Sequence, residues 1–228
     1  MRRALLLALL SGLALAAPQQ LGQGSWSVQW SDTSASAQGP AGRVSLYAPP
    51  AARACPQAVP APRLRGALLA LVGPYASVYT ETRDDCGAHP SLERVFTTTR
   101  LPGEEPLSLT DLFPERDVLA ALLADPWVKG ALAEARPTSL AALARAYGDH
   151  RCTRLDEDAL SRFAFYDLRG SRVAVRLSLP EAAYSCRPGF TQLALWLPVP
   201  ATLKADLTAA KRAGALMVSL RARTDLLR

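Results

Sequence analysis

The chain has 228 residues, of which 49% are hydrophobic and 20% are charged, and its formal net charge is +6. These proportions are ordinary for a globular protein and exclude an intrinsically disordered chain. Beyond the first residues, no apolar run reaches the length of a membrane span.

The first 17 residues resemble a secretory signal. Arg2 and Arg3 precede a short apolar run over residues 4–15, and Ala14-Leu15-Ala16 matches an A-x-A cleavage site. We therefore predict a signal peptide over residues 1–17, one α+β domain over residues 18–228, and a secreted, periplasmic or cell-envelope location. An uncleaved anchor is the alternative; after cleavage no transmembrane anchor would remain.

Four cysteines follow the predicted signal: Cys55, Cys86, Cys152 and Cys186. Four cysteines in an exported chain predict two disulfides, for which there are three connectivities. If the strands around residues 169–170 pair as a hairpin, Cys152 and Cys186 lie nearly opposite each other at its base. This favours Cys152–Cys186 and Cys55–Cys86, and each bridge would stabilise the fold by roughly 3–4 kcal/mol. The absence of a C-x-x-C pair argues against a zinc or redox site.

Two strands and two loops are predicted in the N-terminal part. Apolar residues alternate with polar ones over residues 24–31, which indicates a strand with one buried face. Residues 32–42 are rich in small residues and predict a loop, and residues 43–48 predict a second strand. The proline-rich residues 49–62 predict a loop, because proline cannot donate to a sheet ladder.

A hairpin and a third strand follow. Residues 64–72 and 75–82 are strand-like segments joined by a Gly-Pro turn. Residues 86–90 form a second tight turn, and residues 94–100 are rich in Val, Phe and Thr, which favours a strand. Residues 107–113 alternate and then enter a helix.

Three helices are predicted next, over residues 117–123, 127–135 and 139–147, from their Ala- and Leu-rich helical spacing. Thr138 is suited to cap the third helix, and Gly148 is suited to end it.

The last third predicts more strands. Residues 161–167 and 172–179 form a hairpin, residues 191–197 a strand and residues 202–213 a helix, while residues 216–222 are either a final strand or a continuing helix. The predicted fold is α+β, with an antiparallel sheet, helices packed on one face and two disulfides.

His89 is the first candidate for chemistry. It follows Gly87 and Ala88 in a tight turn, where histidine can act as a base or ligand; the alternative is a turn residue that satisfies its own hydrogen bonds. His150 is far from it in sequence, so a metal site would need help from Asp84 or Asp85. We expect no metal and no cofactor.

A second candidate is the acidic run Asp156-Glu157-Asp158. Carboxylates can hold Ca²⁺, but the run lacks the spacing that such loops use. A solvated loop or the N-terminal turn of a short helix is the preferred interpretation.

The order of these segments resembles a known family. The turn Gly87-Ala88-His89-Pro90 is similar to the family's Gly-Gly-Ala-His turn, with Cys86 in place of the first Gly, and residues 107–113 are similar to its "LTLxDLF" signature. The segment from Phe165 to Tyr184, with Trp196-Leu197-Pro198, resembles its closing pattern. The family is the uncharacterised extracellular domain of the lysozyme-sensing anti-sigma factor of Gram-positive bacteria, found also beside the catalytic domain of a peptidoglycan deacetylase. The resemblance covers about residues 64–207.

The resemblance implies an α+β fold and an envelope location. It does not carry over sensing or deacetylation, because the sequence shows neither an anti-sigma segment nor a deacetylase catalytic domain. We therefore expect a non-enzymatic envelope module that binds a wall polymer or an exported protein, with Gly87, Ala88 and His89 as candidate binding residues. The alternative is a small enzyme acting on envelope glycan through His89 and nearby carboxylates. Nucleic acid is not an expected partner, because no binding module is recognisable.

Overall fold

The computed structural model describes residues 18–49, 63–85, 91–182 and 190–219. Within these ranges the chain forms ten strands and six α-helices, so the predicted α+β fold class is confirmed. The strands are β1 (Gln19–Gln23), β2 (Trp26–Trp30), β3 (Ala35–Gly39), β4 (Gly42–Tyr47), β5 (Arg63–Val72), β6 (Tyr75–Asp84), β7 (Ser91–Arg100), β8 (Phe163–Arg169), β9 (Arg172–Ser178) and β10 (Gln192–Pro198).

Five of the six helices lie between β7 and β8, and the sixth follows β10. They are α1 (Leu109–Leu112), α2 (Glu115–Ala124), α3 (Pro126–Leu132), α4 (Leu140–Tyr147), α5 (Glu157–Ser161) and α6 (Lys204–Arg212), with short 3-10 helices at His150–Cys152 and Ala201–Leu203. Among the described residues, no helix combines the length and apolarity that crossing a membrane requires.

The strands form three antiparallel sheets, which corrects the prediction of one sheet. The sheets are a meander in the order β1-β2-β3-β4, a hairpin with a third strand in the order β5-β6-β7, and a sheet in the order β10-β9-β8. The helices between β7 and β8 separate the last two sheets along the chain. Hydrophobic alternation identifies a strand but does not say which strand it pairs with. The sequence therefore predicted one sheet where the structure has three.

Buried hydroxyl groups join the second and third sheets. Ser77 and Thr98 stand opposite each other on β6 and β7, with their hydroxyl oxygens 2.8 Å apart. Thr98 donates to the Phe163 carbonyl at 2.7 Å, and the Phe165 amide donates to the Ser77 hydroxyl at 3.3 Å. Phe163 and Phe165 belong to β8, an edge strand, so the second sheet satisfies backbone groups that the third sheet leaves unpaired.

The first sheet packs against β5 around Gly66. The Gly66 amide donates to the Asp32 carbonyl at 2.7 Å, and a Cβ at position 66 would lie 2.5 Å from the Tyr47 ring. The Tyr47 hydroxyl donates to the Ser31 carbonyl at 2.7 Å. Burial and the Asp32 carboxylate raise the pKa of Tyr47, so this hydroxyl stays a donor. Only glycine allows so close an approach at this point.

Two strands lie where the sequence did not predict them. β3 falls in the predicted loop 32–42, because Ala35 and Ala37 are buried while Ser36 between them is not. This is period-two alternation carried by small side chains, which also occur in loops. β1 has a largely polar sequence and is positioned by pairing with β2.

One helix start and one C-terminal segment also differ from the prediction. Ser139, not Thr138, caps α4, and its hydroxyl accepts from the Ala142 amide at 3.1 Å. Residues 216–222 were predicted to form a final strand or a continuing helix, but the described residues 216–219 form neither. Leu216 makes an isolated bridge to Ala70, and Met217 has a φ of 51°.

The main core lies between the helices and the inner face of the third sheet. On that face every second residue is buried, as strand geometry requires. The buried side chains are Phe163, Phe165, Val173, Val175, Leu177, Leu193, Leu195 and Leu197.

Candidate functional site

The first candidates from the sequence lie outside the described residues. Gly87, Ala88 and His89 belong to residues 86–90, so the structure does not test a site at this turn. His150 packs its ring against Trp127 and Tyr147, with centroid distances of 5.9 and 5.7 Å. Across the described ranges no three His, Cys, Asp or Glu side chains group as metal ligands would.

The predicted disulfides are likewise not tested. Cys152 is the cysteine that falls within the described residues, whereas Cys55, Cys86 and Cys186 fall outside them. The backbone around Cys152 is nevertheless informative. The Ala182 amide donates to the Cys152 carbonyl at 3.0 Å, and Thr153 forms an antiparallel bridge with Glu181.

Part of the described chain lines a groove of about 1380 Å³. We call it the acidic groove. It is lined by the α1–α2 turn, α4, α5 and Pro200. Its lining residues are Ser108, Thr110, Asp111, Leu112, Phe113, Pro114, Glu115, Leu122, Leu140, Ala141, Leu143, Ala144, Leu155, Asp156, Glu157, Asp158, Leu160, Ser161 and Pro200.

Five of these lining residues are acidic and none is basic. The acids stand at helix starts: Asp111 in the first turn of α1, Glu115 in that of α2, and Asp156, Glu157 and Asp158 at the start of α5. A carboxylate at a helix start is favourable by roughly 0.3–1 kcal/mol, because it faces the positive end of the helix dipole. That preference explains each acid singly. It does not explain why three helix starts face one groove.

Three of the five carboxylates are held by backbone amides. The Asp111 carboxylate accepts from the Ser108 amide at 2.7 Å and completes a capping box. Asp156 accepts from the Ala159 amide at 3.2 Å and caps α5. These bonds fix the carboxylates in place, so the negative charge of the groove is preorganised.

Glu115 is the third of these, and it links two helices. Its Oε1 accepts from the Leu140 amide at 3.2 Å, so a side chain at the start of α2 binds the first residue of α4. The α4 helix start therefore lies beside the acids as well.

Arginines offset part of this charge. Arg162 lies 2.8 Å from Asp158, and Arg154 lies 3.6 Å from Asp156. Asp111, Glu115 and Glu157 have no ion pair within the described part of the chain, and all three are exposed. The groove therefore keeps a net negative charge of about three.

The floor of the groove is apolar. Phe113, Leu122, Leu143, Leu155 and Leu160 form it and are buried in the main core. Leu112 and Leu140 also line the groove and are partly exposed. An apolar floor beneath unpaired carboxylates suits a ligand that has an apolar side and a positive charge.

The sequence predicted the pieces of this groove but not the groove. The interpretation of Asp156-Glu157-Asp158 as a helix start is confirmed, since α5 begins at Glu157. Asp111 and Glu115 were not singled out. An acid in the first turn was the available signal, but sequence spacing does not say which helix starts converge.

Comparison with models of known families, with curated proteins and with solved structures finds no match to this chain. The family resemblance over residues 64–207 therefore stays a prediction from sequence motifs.

Proposed function

We propose that this protein is a non-enzymatic cell-envelope module and that its acidic groove binds a basic, amphipathic segment of an exported protein. The observation that carries the proposal is the lining of the groove: five acidic residues, no basic residue and an apolar floor. An anionic wall polymer would be repelled here, so a protein partner is favoured over a wall polymer for this site.

The size of the groove also supports a peptide ligand. Small-molecule pockets have volumes of roughly 300–1,000 Å³, and this groove is larger, at about 1380 Å³. Amphipathic helices commonly bind by laying their apolar face in such a groove. Asp111, Glu115 and Glu157 would then meet lysine or arginine side chains on the flanks of the bound helix.

The test uses a synthetic amphipathic helix with one leucine face and one lysine face. A triple variant, Asp111→Asn/Glu115→Gln/Glu157→Gln, removes three charges and keeps groups that can accept the hydrogen bonds at positions 111 and 115. We expect its Kd for the peptide to rise about tenfold, because exposed ion pairs contribute roughly 0.2–1 kcal/mol each. Titration calorimetry measures the change.

The matched control is Glu104→Gln/Glu105→Gln/Glu134→Gln, which removes the same charge from exposed positions outside the groove. Its Kd should stay close to that of the parent protein. An equal loss in both triple variants would mean that the peptide follows overall charge. Absence of binding at low salt would contradict the proposal outright.

We also propose the disulfides Cys152–Cys186 and Cys55–Cys86. For the first, the hydrogen bond from Ala182 to Cys152 supports the pairing, because Cys186 follows only four residues later. For the second, Arg63 pairs with Arg83, so the segments that lead to Cys55 and Cys86 leave the same end of the second sheet. Peptide mapping without reductant tests both bridges, and a Cys55–Cys152 peptide would contradict them.

The location is part of the proposal. Residues 1–17 support export through their charged start, apolar run and A-x-A site. Fractionation of cells that express the full chain should recover a shortened protein outside the cytoplasm. Full-length protein in the cytoplasm would contradict it.

A further inference from the structure

Two adjoining hollows lie where α2 and α3 meet β10. The first has a volume of about 470 Å³ and the second about 330 Å³. Asp125 and Pro126 line both, so the α2–α3 junction stands between them. None of the residues that line these hollows lines the groove.

The first hollow contains a tryptophan that is held from several sides. The Arg151 guanidinium lies 4.9 Å from the centre of the Trp127 ring, which is a cation–π contact. Trp127 Nε1 donates to the Tyr147 hydroxyl at 2.9 Å. That hydroxyl lies 2.6 Å from the Thr153 hydroxyl, which donates to the His150 carbonyl at 2.8 Å.

The backbone at Arg151 and Cys152 has an unfavourable conformation beside the Trp127 ring. Arg151 has φ 45° and ψ 45°, and Cys152 has φ 63°, so two successive non-glycine residues occupy the left-handed region. Such conformations persist only where the surroundings enforce them, and they cluster at functional sites. Here they accompany the contact between the Arg151 guanidinium and the Trp127 ring, two residues that line the first hollow.

The second hollow repeats the pairing of arginine with tryptophan. Arg169 lies 5.0 Å from the centre of the Trp196 ring, and Arg172 donates to the Trp196 carbonyl at 2.6 Å. Arg172 and Trp196 both line the hollow. Asp167 binds Arg169 at 3.3 Å, whereas Arg151 and Arg172 have no ion pair among the described residues.

We propose that the two hollows form a binding site for a short anionic oligosaccharide, with sugar carboxylates or phosphates as its charged groups. A pyranose ring has an apolar face of C–H bonds that packs on an indole, and its hydroxyls seek amide and carboxylate partners. Trp127 and Trp196 supply the ring surfaces, each with an arginine over one face. Gln192 and Asp125 supply the polar groups, although Asp125 Oδ1 also caps α3 and Gln192 Oε1 also accepts from Arg176. Arg151 and Arg172 supply forked donors that match a carboxylate or phosphate.

The spacing and openness of the site also fit an oligosaccharide. Gln192 lines the first hollow and Trp196 the second, and four residues of strand separate them by about 13 Å. A ligand that fills both hollows must therefore be extended and contain more than one ring. Both hollows are shallow, which suits a chain lying across the surface rather than an enclosed metabolite.

Single-stranded nucleic acid is the rival ligand, because arginine and tryptophan also stack on bases. Asp125 argues against it. A phosphodiester backbone carries a charge on every unit and would have to pass this carboxylate at the junction of the hollows. A glycan with intermittent acidic groups can place a hydroxyl there instead.

The test uses oligogalacturonates with free carboxylates, their neutral methyl esters and oligo-dT as probes. Trp127 and Trp196 are two of the four tryptophans, so binding should change the tryptophan fluorescence, and titration of that signal gives the Kd. We expect the free acids to bind and the methyl esters to bind about tenfold more weakly. The Arg151→Gln and Arg172→Gln variants should each raise the Kd about fivefold.

Two further variants keep the test decisive. Trp196→Ala should abolish binding while the circular dichroism spectrum stays that of the folded protein. Arg145→Gln, at an exposed position on α4 outside the hollows, should leave the Kd unchanged.

Three results would overturn the proposal: no binding of the free acids, equal binding of the esters and the acids, or oligo-dT binding that the same variants remove. None of these results bears on the groove, since the cationic peptide is a separate probe for a separate surface.

Discussion

The acidic groove and the two hollows that contain Trp127 and Trp196 carry opposite charges, and the protein holds those charges in different ways. In the groove, Asp111 and Asp156 bind backbone amides at helix starts. At the hollows, Arg151 stacks on the Trp127 ring, and Arg169, which is not in the lining, stacks on the Trp196 ring. The acids therefore contribute to folding as well as to the proposed ligand site, whereas the arginines contribute chiefly to the surface. Charge can be removed from the hollows with little effect on stability, but from the groove only if the replacement keeps the hydrogen bond.

The largest effect should come from Thr98, which binds the segments that precede α1 and follow α5. Its carbonyl accepts from the Leu107 amide just before α1, and its hydroxyl donates to the Phe163 carbonyl shortly after α5. Thr98→Val keeps the shape but leaves that buried carbonyl without its donor, which costs about 1–3 kcal/mol. We expect thermal unfolding to shift down by roughly 3–10 °C.

The neighbouring substitution Thr97→Val is the control, because Thr97 is only partly buried and points to the other face of β7. It should change the melting temperature little. If Thr98→Val and Thr97→Val have the same melting temperature, the hydrogen bond of the Thr98 hydroxyl does not stabilise the contact between the sheets. Peptide binding should weaken more than oligosaccharide binding in Thr98→Val.

The next effect separates charge from capping in the groove. Asp156→Ala removes the cap of α5 and should lower the free energy of unfolding by about 1 kcal/mol, whereas Asp156→Asn should restore most of it. Urea unfolding measures both variants. Equal losses in the two would show that the charge, and not the hydrogen bond to Ala159, stabilises α5.

A smaller effect is expected in the hollows. Arg151→Gln should lower the free energy of unfolding by about 0.5 kcal/mol, since an exposed cation–π contact is the main interaction lost. Urea unfolding beside Asp156→Ala makes the comparison direct. A loss larger than that of Asp156→Ala would mean that the arginines of the hollows support the fold as the acids of the groove do.

The smallest effect is a pH dependence of stability that comes from Asp167, the partner of Arg169. Partial burial raises the pKa of Asp167, but hydrogen bonds from Lys211, Leu168 and Arg169 and the charge of Lys211 outweigh it, so the pKa is lowered from the ordinary 3.8. A lowered pKa stabilises the folded state above that ordinary value, and the contribution is lost as the pH falls through the lower folded-state value. The melting difference between the parent protein and Asp167→Asn should therefore be present at pH 6 and shrink below about pH 4. A melting difference that grows as the pH falls would contradict this prediction, because it would mean that folding raises the pKa of Asp167.

Local features were predictable from the sequence. The alternation of Trp26, Val28 and Trp30 gave β2, and the apolar run with its turn gave the β5–β6 hairpin within two residues at each end. Side-chain period and turn chemistry determine these elements locally. β3 was predicted as a loop, because its alternating residues are alanine and serine, which loops also contain.

The sites themselves were not predictable, because each is assembled from distant segments. Glu115 and Glu157 line one groove, and Trp127 lies beside the strand that contains Trp196, although many residues separate each pair along the chain. These long-range contacts depend on how the helices pack on a sheet. The sequence interpretation concentrated on His89 because histidine in a tight turn is a local signal.

The hydroxyl junction between the second and third sheets has a consequence for solubility. β8 ends its sheet, and a bare edge strand offers a row of amides and carbonyls to which another chain can add. Thr98 and Ser77 already bind that row at Phe163 and Phe165. The two buried hydroxyls therefore act against aggregation as well as for the fold, since they occupy a surface that would otherwise recruit a second copy.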